Sequence, residues 1–347
     1  MSYSAVQFIG YEIFTGPGQN PKRYVGLDGD RDDIAARVAL MKEALNAAKA
    51  SPQVNKDPAV LKIFMAPEFY FRGARGAYPI DLVTGTGPDG GGLVGALTDL
   101  IREGHWADWL VVFGTIVARG KNEVYNVSLV QQGSFRNENE RLSKGVLIMK
   151  EFMSQIDFLR ISPRGVTAAD RSRLAAVGPG TYALEQNNPG QVGGYSGGSI
   201  FKIAGITFGL ETCLDHAARR LLRAWPMAGD PFIQIQLIPS GGISIQTAAV
   251  ATLDGGLVFN VDGLKSDRPG HGYGYQSALR CAAQRLPEDD EMFTLPSEDR
   301  VAVNRDLNAL TRLFWLPPDD DVSNPWAHTP ELVFYPRVPV PQPAQAG

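Results

Sequence analysis

Cysteine is scarce in this chain, with only Cys213 and Cys281 in 347 residues. Two thiols cannot build a disulfide framework or a four-cysteine zinc site. Histidine is nearly as scarce. His105, His216, His271 and His328 are scattered, with no His-x-His or His-Glu-x-x-His spacing, so no metal site is expected. Neither sign of charge dominates. Lys and Arg number 33 against 37 Asp and Glu, a formal net charge of −4, which argues against a nucleic-acid partner. No apolar run approaches the ~18 residues of a membrane span, and no basic segment leading into an apolar stretch opens the chain. A cytoplasmic protein with both thiols reduced is therefore expected.

What is present is the material of a folded α/β protein. Hydrophobic residues make up 44% and charged residues 20%, the balance of a globular chain rather than a disordered one. Short apolar runs predict strands at 5–9, 60–64, 110–116, 125–131 and 145–150, then at 199–203, 207–210, 232–238, 256–261 and 331–335. Ala204-Gly205 is placed to turn a hairpin. Asp30 to Asp33 give a capped, acidic start to a helix carrying Ile34, Val38, Met41 and Leu45 on one face. A second helix follows Leu93, and a third is expected over 215–225, with Cys281 in a further helical core segment. Residues 162–198, rich in Gly, Pro, Asn and Gln, read as a long surface insertion. The Pro-rich tail, 337–347, is expected to be disordered or docked on a neighbour. Residues 1–336 then form one domain, because no composition break divides them. The alternation of Gln234 and Gln236 with Ile233, Ile235 and Leu237 is discordant, since amides on a covered strand face need partners.

Three reactive groups fall at predicted strand ends, where loops of layered α/β folds build pockets. Glu68 follows the strand from Val60, among Pro67, Phe69 and Tyr70. Burial there would raise a carboxyl into the range of a usable base. Lys150 ends the strand from Gly145, with Lys144 as a rival at its other end. Cys213 lies between a strand and a helix, in Gly209-Leu210-Glu211-Thr212-Cys213-Leu214-Asp215, a setting that activates a thiol.

This ordered set resembles the nitrilase superfamily of carbon–nitrogen hydrolases. Pro67-Glu68 after a strand, Lys150 after a strand opened by Gly145, and Gly209 to Cys213 and Asp215 running into a helix carry the likeness. Tyr125-Asn126, Arg219-Arg220, Ile238-Pro239-Ser240 and Glu331 to Tyr335 extend it from about residue 5 to 336. The resemblance implies an αββα sandwich of two sheets packed face to face, and subunits paired as a homodimer or higher homo-oligomer. It implies a Glu68, Lys150 and Cys213 triad acting on a small-molecule amide or nitrile through a thioester, with no metal or cofactor. Lys150 and the Leu214 N–H would hold the oxyanion, and Asp157 stands where many members carry a second acid. Tyr70 is a candidate for the substrate pocket.

Other readings remain open at this level. The same triad serves amidases, nitrilases and N-acyltransferases, and the fold could be an inactive binding module. A Cys213–His271 pair is a further possibility. Gly194-Tyr195-Ser196-Gly197-Gly198 fits the serine-nucleophile pattern, but a strand rather than a helix is expected after it.

Overall fold

A computed structural model describes residues 3–16, 26–74, 76–86, 91–120, 124–150, 152, 199–224, 233–252, 254–264, 277–282, 292–294 and 330–342. The insertion and the Asp157, Ser196 and His271 positions lie outside these residues.

The first sheet is built from β1 (Ala5–Glu12), β2 (Val60–Met65), β4 (Trp109–Arg119), β5 (Val124–Gln132), β6 (Gly145–Met149) and β13 (Glu331–Phe334), in the order β13-β1-β2-β4-β5-β6. The short β3 (Tyr78–Pro79) pairs with β4, and β14 (Val338–Pro339) pairs with β1. The second sheet runs β12-β11-β10-β9-β8-β7, from β7 (Ile200–Ile203), β8 (Ile206–Leu210), β9 (Ile235–Ser240), β10 (Leu257–Asp262), β11 (Ala278–Ala282) and β12 (Met292–Thr294). β7 and β8 form the expected hairpin. Ala204 and Gly205 turn it with φ of 56° and 83°, the left-handed pair that matches strand twist.

Strand alternation sorts side chains between two cores. Leu61, Ile63 and Met65 of β2 point inward with Val6, Phe8, Leu110 and Val112 to meet Phe208, Leu210, Ile235, Leu237 and Phe259 of the second sheet. The two sheets therefore pack face to face, and each such buried aliphatic or aromatic side chain contributes about 1.5–3 kcal/mol. The opposite face of the first sheet, with Ile9, Phe64, Val111 and Phe113, is covered by Leu40, Met41, Ala44 and Leu45 of α1 (Asp30–Ala50) and by Leu93, Val94 and Leu97 of α3 (Leu93–Asp99). A short α2 (Ile80–Thr84) lies between them in the chain, and α4 (Glu138–Ser143) precedes β6. On the outer side of the second sheet, Leu221 packs on Ile233 and Ala251. The chain thus forms an α/β sandwich of two central sheets with helices outside.

Three local expectations are corrected. The helix expected over 215–225 is two short pieces, α5 (Leu214–Ala217) and α6 (Arg220–Ala224), separated where Arg219 takes φ 58°. Cys281 lies on β11, not on a helix, because Ala278–Ala282 pairs with both β10 and β12. The first part of the Pro-rich tail is docked on its own chain. Val338–Pro339 pairs with Val6 and Ala5, Val340 is buried, and the Pro341 carbonyl accepts a 2.6 Å bond from Gln234 Nε2.

No helix among the described residues is long and apolar enough to cross a membrane.

Candidate active site

Strand direction explains why three residues far apart in sequence share one end of the sandwich. β2 and β4 are parallel, β5 is antiparallel to β4, and β6 is antiparallel to β5. β2 and β6 therefore point the same way, and the residues just past them, Glu68 and Lys150, emerge on the same edge. The start of β5, with Asn126, lies at that edge too. Lys150 N–H donates to Asn126 O at 2.7 Å, which extends the ladder by one step and fixes the lysine's origin.

At that edge Lys150 Nζ donates to Glu68 Oε1 at 2.8 Å, with the two side chains 2% and 0% exposed. Asn126 Nδ2 donates to the same oxygen at 2.9 Å. Lys144 takes no part. It precedes β6, and its Nζ donates to Ser134 O at the far end of that strand.

The turn carrying Glu68 is held from several sides. Glu68 N–H donates to Ser240 O at 3.3 Å, Thr15 Oγ1 donates to Glu68 O at 2.6 Å, and Phe69 N–H donates to Thr115 Oγ1 at 2.8 Å. β4 makes room through a bulge between Val112 and Thr115. Gly114 sits in it with φ 75°, where a Cβ would lie 2.3 Å from Pro67 O. Phe69 itself has φ 62°. Such a conformation costs a non-glycine residue about 1–3 kcal/mol and persists only where surrounding contacts enforce it. It swings the Phe69 ring toward the site, 5.6 Å from Lys150 Nζ and 5.4 Å from the Arg72 guanidinium.

Cys213 comes from the second sheet. Past β8, Glu211 N–H donates to Leu237 O at 3.0 Å and Cys213 N–H to Pro239 O at 3.1 Å, so the segment follows β9 to its end. Cys213 then turns sharply, with φ 49° and ψ −108°, and α5 begins at Leu214. Its thiol is buried and lies 3.8 Å from Gly241 O. Gly241 also borders the carboxylate, since a Cβ there would stand 3.3 Å from Glu68 Oε2 and from the Phe69 ring. One residue thus lies beside both the thiol and the acid. The structure brings Glu68, Lys150 and Cys213 to one place, with the Leu214 N–H at the start of the helix beside them.

The elbow rests on a buried polar network. Glu211 accepts from Leu221 N–H at 2.6 Å, from Gln236 Nε2 at 2.7 Å and from His216 Nδ1 at 2.8 Å. His216 Nε2 accepts from Gln246 N–H at 2.9 Å. A ring nitrogen that accepts carries no proton, so His216 is the neutral tautomer protonated on Nδ1. Gln236 Oε1 in turn accepts from Ala251 N–H at 2.8 Å. The discordant glutamines are thereby accounted for: Gln236 of β9 braces the elbow, and Gln234, just before that strand, ties Thr207 N–H to the C-terminal segment. Asp215 is a brace as well, accepting from Phe152 N–H at 2.7 Å and lying 3.9 Å from Arg220.

Tyr70, a candidate substrate contact, lies elsewhere. Its fully buried ring packs 5.7 Å from Tyr11 and 4.7 Å from Phe71 in the core under α1, and its hydroxyl donates to Arg37 O at 3.2 Å. Burial raises its pKa. Asn126 and Gly241 do not stand out as site residues in the sequence. The available signals were an amide at the start of a strand and a Gly-Gly step following the Ser240 strand end. Among the described residues no group of three or more His, Cys, Asp or Glu could hold a metal ion.

No family model matches the chain, and no curated protein does. Solved structures do match. Nit3 of Saccharomyces cerevisiae, a member of branch 10 of the nitrilase superfamily, is 12% identical over 83% of this chain and 88% of its own, with a TM-score of 0.40. Nitrilase-superfamily proteins are among the structural neighbours. An amidase of that superfamily from Nesterenkonia AN1 is 14% identical over 90% of this chain and 98% of its own, with a TM-score of 0.40. A glutamine-dependent NAD(+) synthetase from Cytophaga hutchinsonii is 14% identical over 75% of this chain, which spans 36% of that protein, with a TM-score of 0.40.

Proposed function

We propose that the chain is a thiol-dependent hydrolase of non-peptide carbon–nitrogen bonds, of amidase type. The observation that carries this reading is the buried Glu68–Lys150 pair, set across Gly241 from a thiol on a strained turn. Glu68 takes the Cys213 proton, and the thiolate attacks the substrate carbonyl carbon. The resulting oxyanion is held by the Lys150 ammonium and the Leu214 N–H; loss of one such donor costs about 10²–10³-fold in kcat. As the C–N bond breaks, Glu68 gives its proton to the departing nitrogen, leaving a thioester on Cys213. Glu68 then takes a proton from water, whose oxygen attacks the thioester and releases the acid, and the proton returns to Cys213. The ordered motifs shared with the nitrilase superfamily support the same roles. Pairing of two copies belongs to the proposal and is tested by light scattering on the eluting protein.

The test is intact-mass spectrometry during turnover of a panel of small amides and nitriles, with ammonia measured in parallel. An acyl adduct on Cys213 and ammonia release are expected, and both vanish in Cys213→Ala. Ammonia release undiminished in that variant would overturn the proposal. An amine that competes with water for the acyl group would move the reading to a transferase.

A further inference from the structure

Asn126 holds Glu68 with one end of its amide. The other end, Oδ1, is buried and has no hydrogen-bond partner among the described residues. A buried acceptor left unmade carries a desolvation penalty and calls for an explanation. The amide cannot be turned to relieve it. Glu68 Oε1 already receives Lys150 Nζ and must face a donor, so Nδ2 takes that side and Oδ1 is forced to the other.

The face on which the Asn126 side chain lies follows from the strand. Residues two apart in a strand share a face. Ser128 Oγ lies 3.3 Å from Thr212 Oγ1, the residue before Cys213, and Val130 belongs to the core between the sheets. Val127 and Leu129 point the other way, toward α1 and its neighbours. Asn126 therefore faces the elbow across the gap between the sheets. Its Oδ1 stands within about 5 Å of Glu68 Oε1, because the two ends of an amide are only about 2.2 Å apart.

We infer that Asn126 is a specificity-determining residue whose Oδ1 accepts an N–H from the nitrogen of a primary carboxamide, selecting amides over substrates without that donor. The inference rests on the hydrolase reading above and names its substrate class. Glu68 delivers its proton to the same nitrogen, so an acceptor fixed beside Glu68 aligns the leaving group for that transfer. An ester of the same acyl group, with no N–H, leaves Oδ1 unpaired. Sites built to bond a substrate donor reject the analogue that lacks it for this reason.

The test compares kcat/KM for a primary amide and for the ethyl ester of the same acid, in wild type, Asn126→Ala and Asn126→Ser, with thermal unfolding as the check on folding. Loosening Glu68 alone also weighs on the amide, whose nitrogen leaves only when protonated, so Thr15→Val, which removes a bond to the Glu68 carbonyl without touching Oδ1, gives the ratio change to be subtracted before the acceptor is read. The ratio is expected to fall by about tenfold or more in Asn126→Ala, the size of one hydrogen bond to a buried group. Asn126→Ser, which keeps a small acceptor, should lie between. Equal losses on both substrates, or an unchanged ratio in whichever variant folds, overturn the inference and leave the hydrolase reading standing. A wild type that turns over neither an amide nor an ester overturns both.

Discussion

Replacing Lys150 by Met tests the buried pair without reference to any substrate. The side chain stays unbranched, one atom shorter, and loses its charge. Lys150 Nζ and Glu68 Oε1 are 2.8 Å apart in a setting where neither side chain is more than 2% exposed. Removing one member of such a pair leaves an uncompensated buried charge and costs about 3–5 kcal/mol. With an unfolding entropy of about 2.1 cal/mol/K per residue, a chain of 347 residues shifts by about 1.4 °C per kcal/mol, so the midpoint should fall by roughly 4–7 °C. Glu68→Gln should be destabilising for the mirror reason. The double variant removes both charges, while Asn126 Nδ2 can still donate to the amide oxygen that replaces the carboxylate. Its cost should therefore fall short of the sum of the single costs by about 2 kcal/mol, within the range seen for residues in direct contact. The assay is urea unfolding of the four proteins at pH 7. A coupling below about 0.5 kcal/mol, the noise of additivity for independent sites, would refute the argument.

Gly241→Ala puts a methyl 3.3 Å from both the Glu68 carboxylate and the Phe69 ring. They must yield by a few tenths of an ångström, and since a 1 Å misplacement costs about 10²-fold, kcat/KM should drop by about three- to tenfold with little change in midpoint; undiminished turnover would count against the site. Gly114→Ala should instead damage the fold, by more than about 2 kcal/mol in urea unfolding, because its φ is 75° and the new Cβ would lie 2.3 Å from the Pro67 carbonyl; a neutral result would mean that the bulge is not needed. Burial pushes the Cys281 thiol up, so less thiolate is present at any given pH than for an exposed cysteine. Its alkylation in Cys213→Ala should stay slow through the ordinary thiol range near pH 8.5 and accelerate only above it; a half-maximal rate at or below that pH would contradict the burial.

Most strands were legible because apolar runs bounded by turn residues have few other uses, and β2, β4, β8 and β10 fall within a few residues of their expected places. The convergence of Glu68, Lys150 and Cys213 was legible as three strand ends in order. Their spacing in the structure was not, because it depends on strand direction and on how the two sheets are set against each other. Tyr70 shows the limit of neighbour reasoning. It is adjacent in sequence to Phe69, but the left-handed turn at Phe69 sends the two rings to opposite sides. Cys281 sits in Ala-Leu-Arg-Cys-Ala, which suits a helix on propensity, and pairing on both sides by β10 and β12 overrides it. Asn126 reaches Glu68 across 58 residues, and Gln236 reaches Glu211 across 25. Such polar pairs carry no local pattern, so the partners of Gln234 and Gln236 could not be read in advance.

The edge of β1 has a consequence for how the molecule is completed. β13 covers Ile9 to Glu12 and β14 covers Ala5 and Val6, and Gln7 Nε2 donates to Tyr335 O across 328 residues. The strand is sealed by segments that follow it by 328 residues in the chain. While the chain is being synthesised, β1 can join β2 on one side but presents open backbone groups on the other, the arrangement that invites pairing with a foreign strand. Closing a contact over so long a stretch is slow, so this protein is most vulnerable to aggregation in the interval before residues 331–340 emerge and dock.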